Sequence, residues 1–483
     1  MSIKRNFLYN SILTVSGYVF TFATYPYVSR VLGLTNVGVV NFVDGIINYF
    51  ILFAMMGIST VGIREVAINK TNRIKLSKTF SSIILLNAIS TLIAIAILLT
   101  AMYTIPQLYP HRQLLYIGIC KLVFNSLLVE WFYTGLENFP YITKRTIIIK
   151  SAYVASVFLF IHDSSDYQTY YILCVLTVLI NGLVNIIYSR KFASLTFNGV
   201  SVKPYLSAFF TVGFYIIVTS MYTSFNVAWL GLTAGTDEVG YYTTATKLHT
   251  IILALLLAFQ NVMFPRVNSL LAEGKHEEYR QKLQLAVDSL LTFAMPIVIT
   301  SVIFGPNILH FLVGDGFEGS YLPFRIMMPL ILVIGYSQIT CIQILLAMKQ
   351  DRRLLFNACA GAAVGLLLNL LIVKSMGAIG SSLVWLTSEL VVAAGAQYWA
   401  SRIAGFRFPW QLLLKYLITY LPAGITMVFI CHSFHYADIV MIGFAAVFVF
   451  AYSVIAQLYI LKNPVCIQFA KKITPYAEQK SHL

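Results

Sequence analysis

Charge is the scarcest property of this 483-residue sequence: Asp and Glu number only 18, and charged residues of either sign make up 11%, against roughly 25% in an ordinary soluble domain. That shortage excludes a water-soluble globule of this size. The six cysteines, at 120, 174, 341, 359, 431 and 466, include no close pair, no CxxC and no neighbouring histidine at metal-ligand spacing. A disulfide framework and a zinc site are therefore excluded, and the thiols read as packing residues. No G-x-x-x-x-G-K-[ST] run occurs, so there is no P-loop to cradle ATP phosphates. Long polar stretches are missing too. The longest loops, roughly residues 63–79 and 266–285, leave no room for a folded extramembrane domain, so whatever the chain does it does within its helices.

What is present is apolar length. Hydrophobic residues make up 59% of the chain, and a helix needs about 20 mostly apolar residues to cross a bilayer. Fourteen such runs appear: 8–32, 38–62, 80–104, 113–136, 146–162, 169–189, 205–232, 241–265, 286–313, 322–347, 354–373, 378–400, 412–431 and 437–461. Backbone groups in lipid must be paired within the segment, so these are predicted helices. Lys4 and Arg5 ahead of the first run look like the start of a signal peptide, but the run reaches Leu32 with no A-x-A site and reads as a span that stays.

The formal net charge of +15 could signal an anionic partner such as nucleic acid, so the placement of the charges matters. With the N-terminus in the cytoplasm, 27 of the 33 Lys and Arg fall on inner segments, while outer turns carry Asp163, Asp166, Asp237, Glu238, Asp315, Glu318 and Asp438. That is the positive-inside pattern, with both termini cytoplasmic. It removes nucleic acid and leaves Arg30, Lys121 and Lys247 among the few exceptions.

A repeat runs through the chain at an offset of 202 residues. Val37-Gly38 and Arg64 bracket span 2 as Val239-Gly240 and Arg266 bracket span 8, and Asn41, Asp44 and Asn48 correspond to Thr243, Thr246 and Thr250. Positions i, i+3 and i+7 share one helical face, so each half carries a polar stripe. Spans 1 and 7 are polar on one side as well, through Thr14, Thr21, Thr24 and Tyr25, with Pro26 inside the membrane, and through Tyr215, Tyr222 and Asn226. Small and hydroxyl side chains also serve plain helix packing. Six intervening spans make this a parallel repeat of two six-helix halves, an organisation found in transporters.

Three motifs then stand in order. Tyr25-Pro26-Tyr27-Val28-Ser29-Arg30-Val31-Leu32-Gly33 with Val37-Gly38-Val39-Val40-Asn41-Phe42 and Gly62-Ile63-Arg64-Glu65 is the first. Glu130-Trp131-Phe132-Tyr133-Thr134-Gly135-Leu136-Glu137 with Tyr141-Ile142 is the second. Val239-Gly240-Tyr241-Tyr242 with Lys247-Leu248 and Pro265-Arg266 is the third. Together they resemble the signatures of bacterial oligosaccharide flippases of the MATE-like MOP superfamily. The resemblance implies an all-α polytopic inner-membrane protein with two pseudo-symmetric six-helix lobes in a V around a central cavity, lined chiefly by spans 1, 2, 7 and 8. The lobes would be residues 1–200 and 201–405, and 406–483 would add spans 13 and 14 and a cytoplasmic tail. Many relatives stop at twelve helices; in the lipid II flippase branch the added pair forms a groove for the lipid tail. Implied substrates are undecaprenyl-pyrophosphate-linked oligosaccharide units for O-antigen or capsule, moved by alternating access. Polysaccharide polymerase and chain-length regulator proteins are implied partners, and a monomer is expected.

Charges inside the spans are the candidate working groups, because each costs about 2.5–3.5 kcal/mol to insert. Asp44, Lys121, Glu130, Lys247, Asp288 and Glu389 qualify. Asp44, on the stripe with Asn41 and Asn48, is a proton or cation site, a holder for a cavity arginine, or half of an ion pair fixing helices. Lys121 and Glu130 lie on opposite sides of a continuous helix and cannot pair, and Glu130 would share its face with Ser126, Tyr133 and Thr134. Arg64 and Arg266 would meet a pyrophosphate headgroup at the inner side, or simply anchor; Arg30 and Lys247, with forked and point-like donors, would accompany it outward. Tyr25, Tyr222, Asn226, Asn41, Asn48 and Lys121 complete the expected cavity. Asp44 and Glu130 are the coupling-ion candidates, for H+ or Na+, and no resident cofactor or metal is expected. A multidrug and cation antiporter on the same fold, a polysaccharide polymerase or ligase, and a scaffold are the competing readings. The second would normally show a long catalytic outer loop.

Overall fold

The computed structural model describes residues 3–434, 436–463 and 466–467, without the side chains of 3–8, 10, 255, 257–266, 268 and 272. Among the described residues there is no strand. Among the described residues nine helices are long and apolar enough to cross a membrane, or ten when Lys203–Ser220 and Ser224–Thr233, bent by 52°, count as one broken span.

The chain divides into two compact units. The first comprises Met1–Thr244 and Ala362–Trp385. It contains α1 (Ile3–Met55), α2 (Ile58–Asn69), α3 (Arg73–Thr104), α4 (Arg112–Asn125), α5 (Glu130–Gly135) and α6 (Phe139–Phe160). It continues with α7 (Tyr167–Ser189), α8 (Lys203–Ser220), α9 (Ser224–Thr233) and the first turns of α10 (Thr236–Ala272). The second unit, Ala245–Gly361 and Leu386–Leu483, holds the rest of α10, α11 (His276–Ile303), α12 (Gly305–Val313), α13 (Tyr321–Met327) and α14 (Leu330–Ser337). Most of α15 (Asp351–Leu368), the end of α16 (Lys374–Ala404), α17 (Trp410–Ser433) and α18 (Asp438–Ile455) complete it.

Spans expected to be uninterrupted are broken, and separations expected to be loops are kinks. Expected spans 1 and 2 join in one element, α1, where Gly33 alone leaves helical dihedrals (φ 73°, ψ 170°), a conformation that costs glycine no Cβ clash. Gly377 (φ 52°, ψ −130°) does the same between expected spans 11 and 12. Expected span 4, in contrast, breaks between Asn125 and Glu130, with Val129 left-handed at φ 36°. Span 7 breaks between α8 and α9, and span 9 ends its long helix at Ile303, ahead of Gly305-Pro306.

Inside the first unit the repeat acquires physical meaning. A Cβ built on Gly38 would lie 2.1 Å from the Thr236 carbonyl oxygen and 3.3 Å from the Gly240 nitrogen, and one on Gly240 would lie 3.4 Å from Gly38 Cα. The two glycines displaced by 202 in sequence are thus where the two repeats touch backbone to backbone. An aromatic cluster closes the other end of this unit: Trp131 lies against Gly62, and Phe80 and Phe132 sit 4.5 Å apart between ring centroids. The turn after α6 is fastened by Asp166, whose carboxylate accepts the backbone N–H groups of His162 and Asp163 and is held below the usual carboxylate range by those bonds.

The second unit is tied by hydroxyls. Tyr416 on α17 shares a hydrogen bond with Thr292 of α11 at 2.8 Å, and Asn463 donates to both. Asp288, an expected intramembrane charge, is reached by the Tyr416 hydroxyl at 3.4 Å. Beside these contacts α11 and α17 leave an apolar groove of about 470 Å³, lined by residues such as Ile299, Leu417, Gly424 and Val428.

Replacing Gly38 by Val sets a branched side chain against a carbonyl that cannot rotate away. We expect a loss of about 1–3 kcal/mol, typical of overpacking, read as a lowered thermal unfolding midpoint of the purified protein. Gly443→Ala, where nothing lies within 4 Å of the new carbon, should leave the midpoint unchanged; equal midpoints for both variants would refute the backbone contact.

Candidate functional site

The polar stripe predicted on the second half of α1 meets a lysine from α4. Lys121 Nζ donates to Asp44 Oδ1 at 2.5 Å and to Asn48 Oδ1 at 3.0 Å, and Asn48 Nδ2 donates to Asp44 Oδ2 at 2.9 Å. Three side chains thus form a closed triad in which both carboxylate oxygens and the ammonium are engaged. The side chains of Lys121 and Asp44 are 14% and 28% exposed, so the pair is only partly screened by solvent. A glycine makes the approach possible. One turn before Lys121, a Cβ on Gly118 would come within 2.4 Å of Ile47, which lies one turn beyond Asp44. Of the roles open to Asp44 in the sequence, the geometry displays the helix-fixing ion pair, with Lys121 in the place expected for a cavity arginine.

The second charged cluster lies where α4 gives way to α5. The left-handed turn at Val129 re-aims the chain, so that Glu130 is half exposed while Tyr133 is buried. The expected common face of Ser126 and Glu130 is therefore corrected, because the break lies between them, whereas Glu130, Tyr133 and Thr134 stay one turn apart on α5. Lys121 and Glu130 do face different partners. Arg145 on α6, nearly buried, donates through Nη2 to Glu130 Oε1 at 2.6 Å and to Thr146 Oγ1 at 2.8 Å, and through Nη1 to Asn185 Oδ1 on α7. Asn185 also accepts the Tyr141 hydroxyl at 3.1 Å, and Tyr141 stacks on Tyr188 at 3.9 Å between centroids.

The remaining predicted residues are distributed as follows. Tyr25 is buried and its hydroxyl meets Thr244 Oγ1 at 2.7 Å; Asn226, fully buried, donates to Tyr242 at 3.1 Å and to the Ser381 carbonyl at 2.9 Å. Tyr222 is buried in the break between α8 and α9, and Asn41 is half-buried. Arg30 is exposed, as is Arg64, whose guanidinium lies 3.0 Å from its neighbour Glu65. Lys247 is half-buried in the second unit. The Arg266 side chain lies outside the described residues. Glu389 sits half-buried on α16, near Cys341.

Sequence reasoning missed Arg145. It was counted among inner-side anchors, yet the short connection between α5 and α6 folds residue 145 back beside residue 130, and that hairpin spacing was the available signal. No group of three or more His, Cys, Asp or Glu suited to a metal occurs among the described residues.

The comparisons agree with this architecture. The family described as polysaccharide biosynthesis protein matches residues 3–271. A protein of Escherichia coli K12 named as an O-antigen transporter is 22% identical over 399 residues, covering 82% of this chain and 95% of its own length. The lipid II flippase MurJ, in an inward closed conformation, superposes with a TM-score of 0.66 at 15% identity over 92% of this chain and 99% of its own. An inward-facing multidrug resistance MATE transporter of the MOP superfamily gives 0.61 at 13% identity over 80% of this chain and 94% of its own. The fold is that of the MOP-superfamily transporters.

Removing one partner of a buried ion pair costs about 3–5 kcal/mol, and less at this degree of exposure. Asp44→Asn and Lys121→Gln should each lower the unfolding midpoint, and the exchange Asp44→Lys with Lys121→Asp should recover part of the loss. Additive losses in the exchanged variant would show that the pair contributes no coupling.

Proposed function

The chain belongs to the polysaccharide biosynthesis protein family, and on that premise we propose that it flips lipid-linked oligosaccharide units across the bacterial inner membrane. The units are undecaprenyl-pyrophosphate-linked and serve O-antigen or capsule assembly. Fourteen spans with cytoplasmic termini form two six-helix lobes and an added C-terminal pair, and transport runs by alternating access between the lobes, without nucleotide hydrolysis or a catalytic centre.

One observation favours this reading over the cation and drug antiporter. The two charged clusters of the first unit, Asp44 with Lys121 and Glu130 with Arg145, together with Lys150 beside the second, carry three positive charges and two negative ones. A site for cations calls for the opposite surplus; a pyrophosphate calls for this one. The apolar groove between α11 and α17 supplies a place for a prenyl chain beside the bundle.

In this reading a coupling ion acts at the Asp44 triad. Protonating Asp44 removes the charge that holds Lys121, and the freed ammonium can then meet the substrate phosphate. A proton or sodium ion taken up at Asp44 thus biases the equilibrium between the two states only through its different affinity for them. Arg30 and Lys247 serve the headgroup on its outward path.

Proteoliposomes carrying a fluorescent pyrophosphate-linked glycolipid test the reading. We expect protein-dependent flipping that a pH or sodium gradient accelerates, and Lys121→Gln should reduce it by about tenfold, the weight of one charge-assisted hydrogen bond. Flipping indifferent to both gradients refutes the coupling, and no protein-dependent flipping refutes the function. Gly424→Phe, which fills the groove from α17, should slow a long-chain prenyl substrate more than a short-chain one. Equal slowing would remove the groove from the transport path.

A further inference from the structure

Within the first unit lies a cleft of about 570 Å³ bounded by α1, the α4–α5 break, α6 and α7. Its volume is in the range of small-molecule sites. Lys150 and Glu130 line it, together with Gly17, Tyr18, Thr146 and Asn181. Charge within it is unevenly committed. Glu130 is held by Arg145 at 2.6 Å, whereas Lys150 has no ion-pair partner among the described residues. Lys150 is not turned outward as a cytoplasmic anchor would be. Its ammonium lies 3.3 Å from where a Cβ on Gly17 would stand, so the absence of a side chain on α1 is what admits it.

A second group in the cleft is unmet. Asn181, 8% exposed, donates its Nδ2 to the Thr177 carbonyl at 2.7 Å, while its Oδ1 is buried with no hydrogen-bond partner. A buried carbonyl oxygen without a donor costs about 1–3 kcal/mol, so a group that supplies one is bound favourably. The cleft therefore offers a cation with no ion-pair partner among the described residues, in the field of the Arg145-held Glu130 carboxylate, and an acceptor without a donor, in a lining that includes Thr146 and Tyr18.

We propose that this cleft binds an anionic sugar, with the anion on Lys150 Nζ and a ring hydroxyl donating to Asn181 Oδ1. The proposal rests on the flippase reading only for where such a group comes from: the phosphate next to the first sugar of the headgroup, or a uronic acid within the oligosaccharide. Neutral sugars lack the charge for Lys150.

Saturation-transfer NMR on the full-length protein in detergent, with glucose 1-phosphate, glucuronate and methyl glucoside as probes, decides the matter without any transport. Wild-type protein should bind one or both anionic probes in preference to methyl glucoside. Lys150→Gln and Asn181→Leu should each weaken that binding about tenfold. Gly17→Ala, which presses on Lys150 without altering its charge and suits a helix, should weaken it as well, while Lys150→Arg and the exposed-site control Lys144→Gln should retain it. Preference for glucose 1-phosphate assigns the cleft to the headgroup phosphate; preference for glucuronate assigns it to an acidic sugar. Equal binding of methyl glucoside, no binding of any probe, or anionic binding that survives Lys150→Gln and Gly17→Ala in variants with wild-type unfolding midpoints overturns the proposal. Absent binding leaves flipping in proteoliposomes to be judged on its own, and absent flipping leaves the binding result intact.

Discussion

Lys121 carries its ammonium between packed helices of the first unit, and the Asp44 carboxylate meets it there. Inserting either charge alone costs about 2.5–3.5 kcal/mol, so the two helices that carry them gain by closing until the pair forms. Closure is a matter of backbone distance, and here glycine sets it. Gly118 faces Ile47 with no room for a Cβ, and from that contact the chain runs one turn on to Lys121 and one turn back to Asp44. The polar stripe, the glycine and the lysine are one device spread over two helices. Asn48 completes it by giving the second carboxylate oxygen a donor.

The same logic organises the α5–α6 hairpin, with one difference that bears on function. Arg145 is almost fully buried and uses both terminal nitrogens, on Glu130, Thr146 and Asn185. Asn185 in turn gathers Tyr141 and the Tyr188 ring stacked on it. Glu130, however, keeps half its surface open. The cluster has a rigid, buried side that fixes three helices and an open side that faces the cleft with Lys150, so structural and functional parts share one carboxylate.

Much of the architecture was legible in the sequence because hydropathy is an additive property. Nearly every apolar run lies on a helix, and the offset repeat placed Gly38 and Gly240 as equivalents. Continuity was not legible. Hydropathy cannot register the left-handed Val129, the bend between α8 and α9, or the stop at Ile303, because apolar residues flank each break on both sides. The expected face joining Ser126 to Glu130 fails for that reason, since 100° per residue no longer applies once Val129 between them leaves the helix. Arg145 and Lys150 were hidden for another reason: counting basic residues by side records which end of a span they occupy and nothing about which way they point. That Gly38 and Gly240 touch is likewise invisible to a repeat, which reports equivalence and not proximity.

The Asp44 triad also constrains how an ion can drive this chain. A carboxylate that already holds the Lys121 ammonium at 2.5 Å is not a vacant cation site, because an arriving ion has either to displace the ammonium or to neutralise the carboxylate. In the proposed coupling a sodium ion would have to displace that ammonium, whereas a proton would cancel the charge that holds it. Either ion gains most when Lys121 has somewhere else to go. Under the proposed function an anionic substrate would provide that place, so that binding of the ion at Asp44 and of the phosphate at Lys121 would assist each other, by the same factor in both directions. In such an arrangement coupling requires no separate ion pocket: exchange of one counter-charge for another at a single lysine links the two ligands.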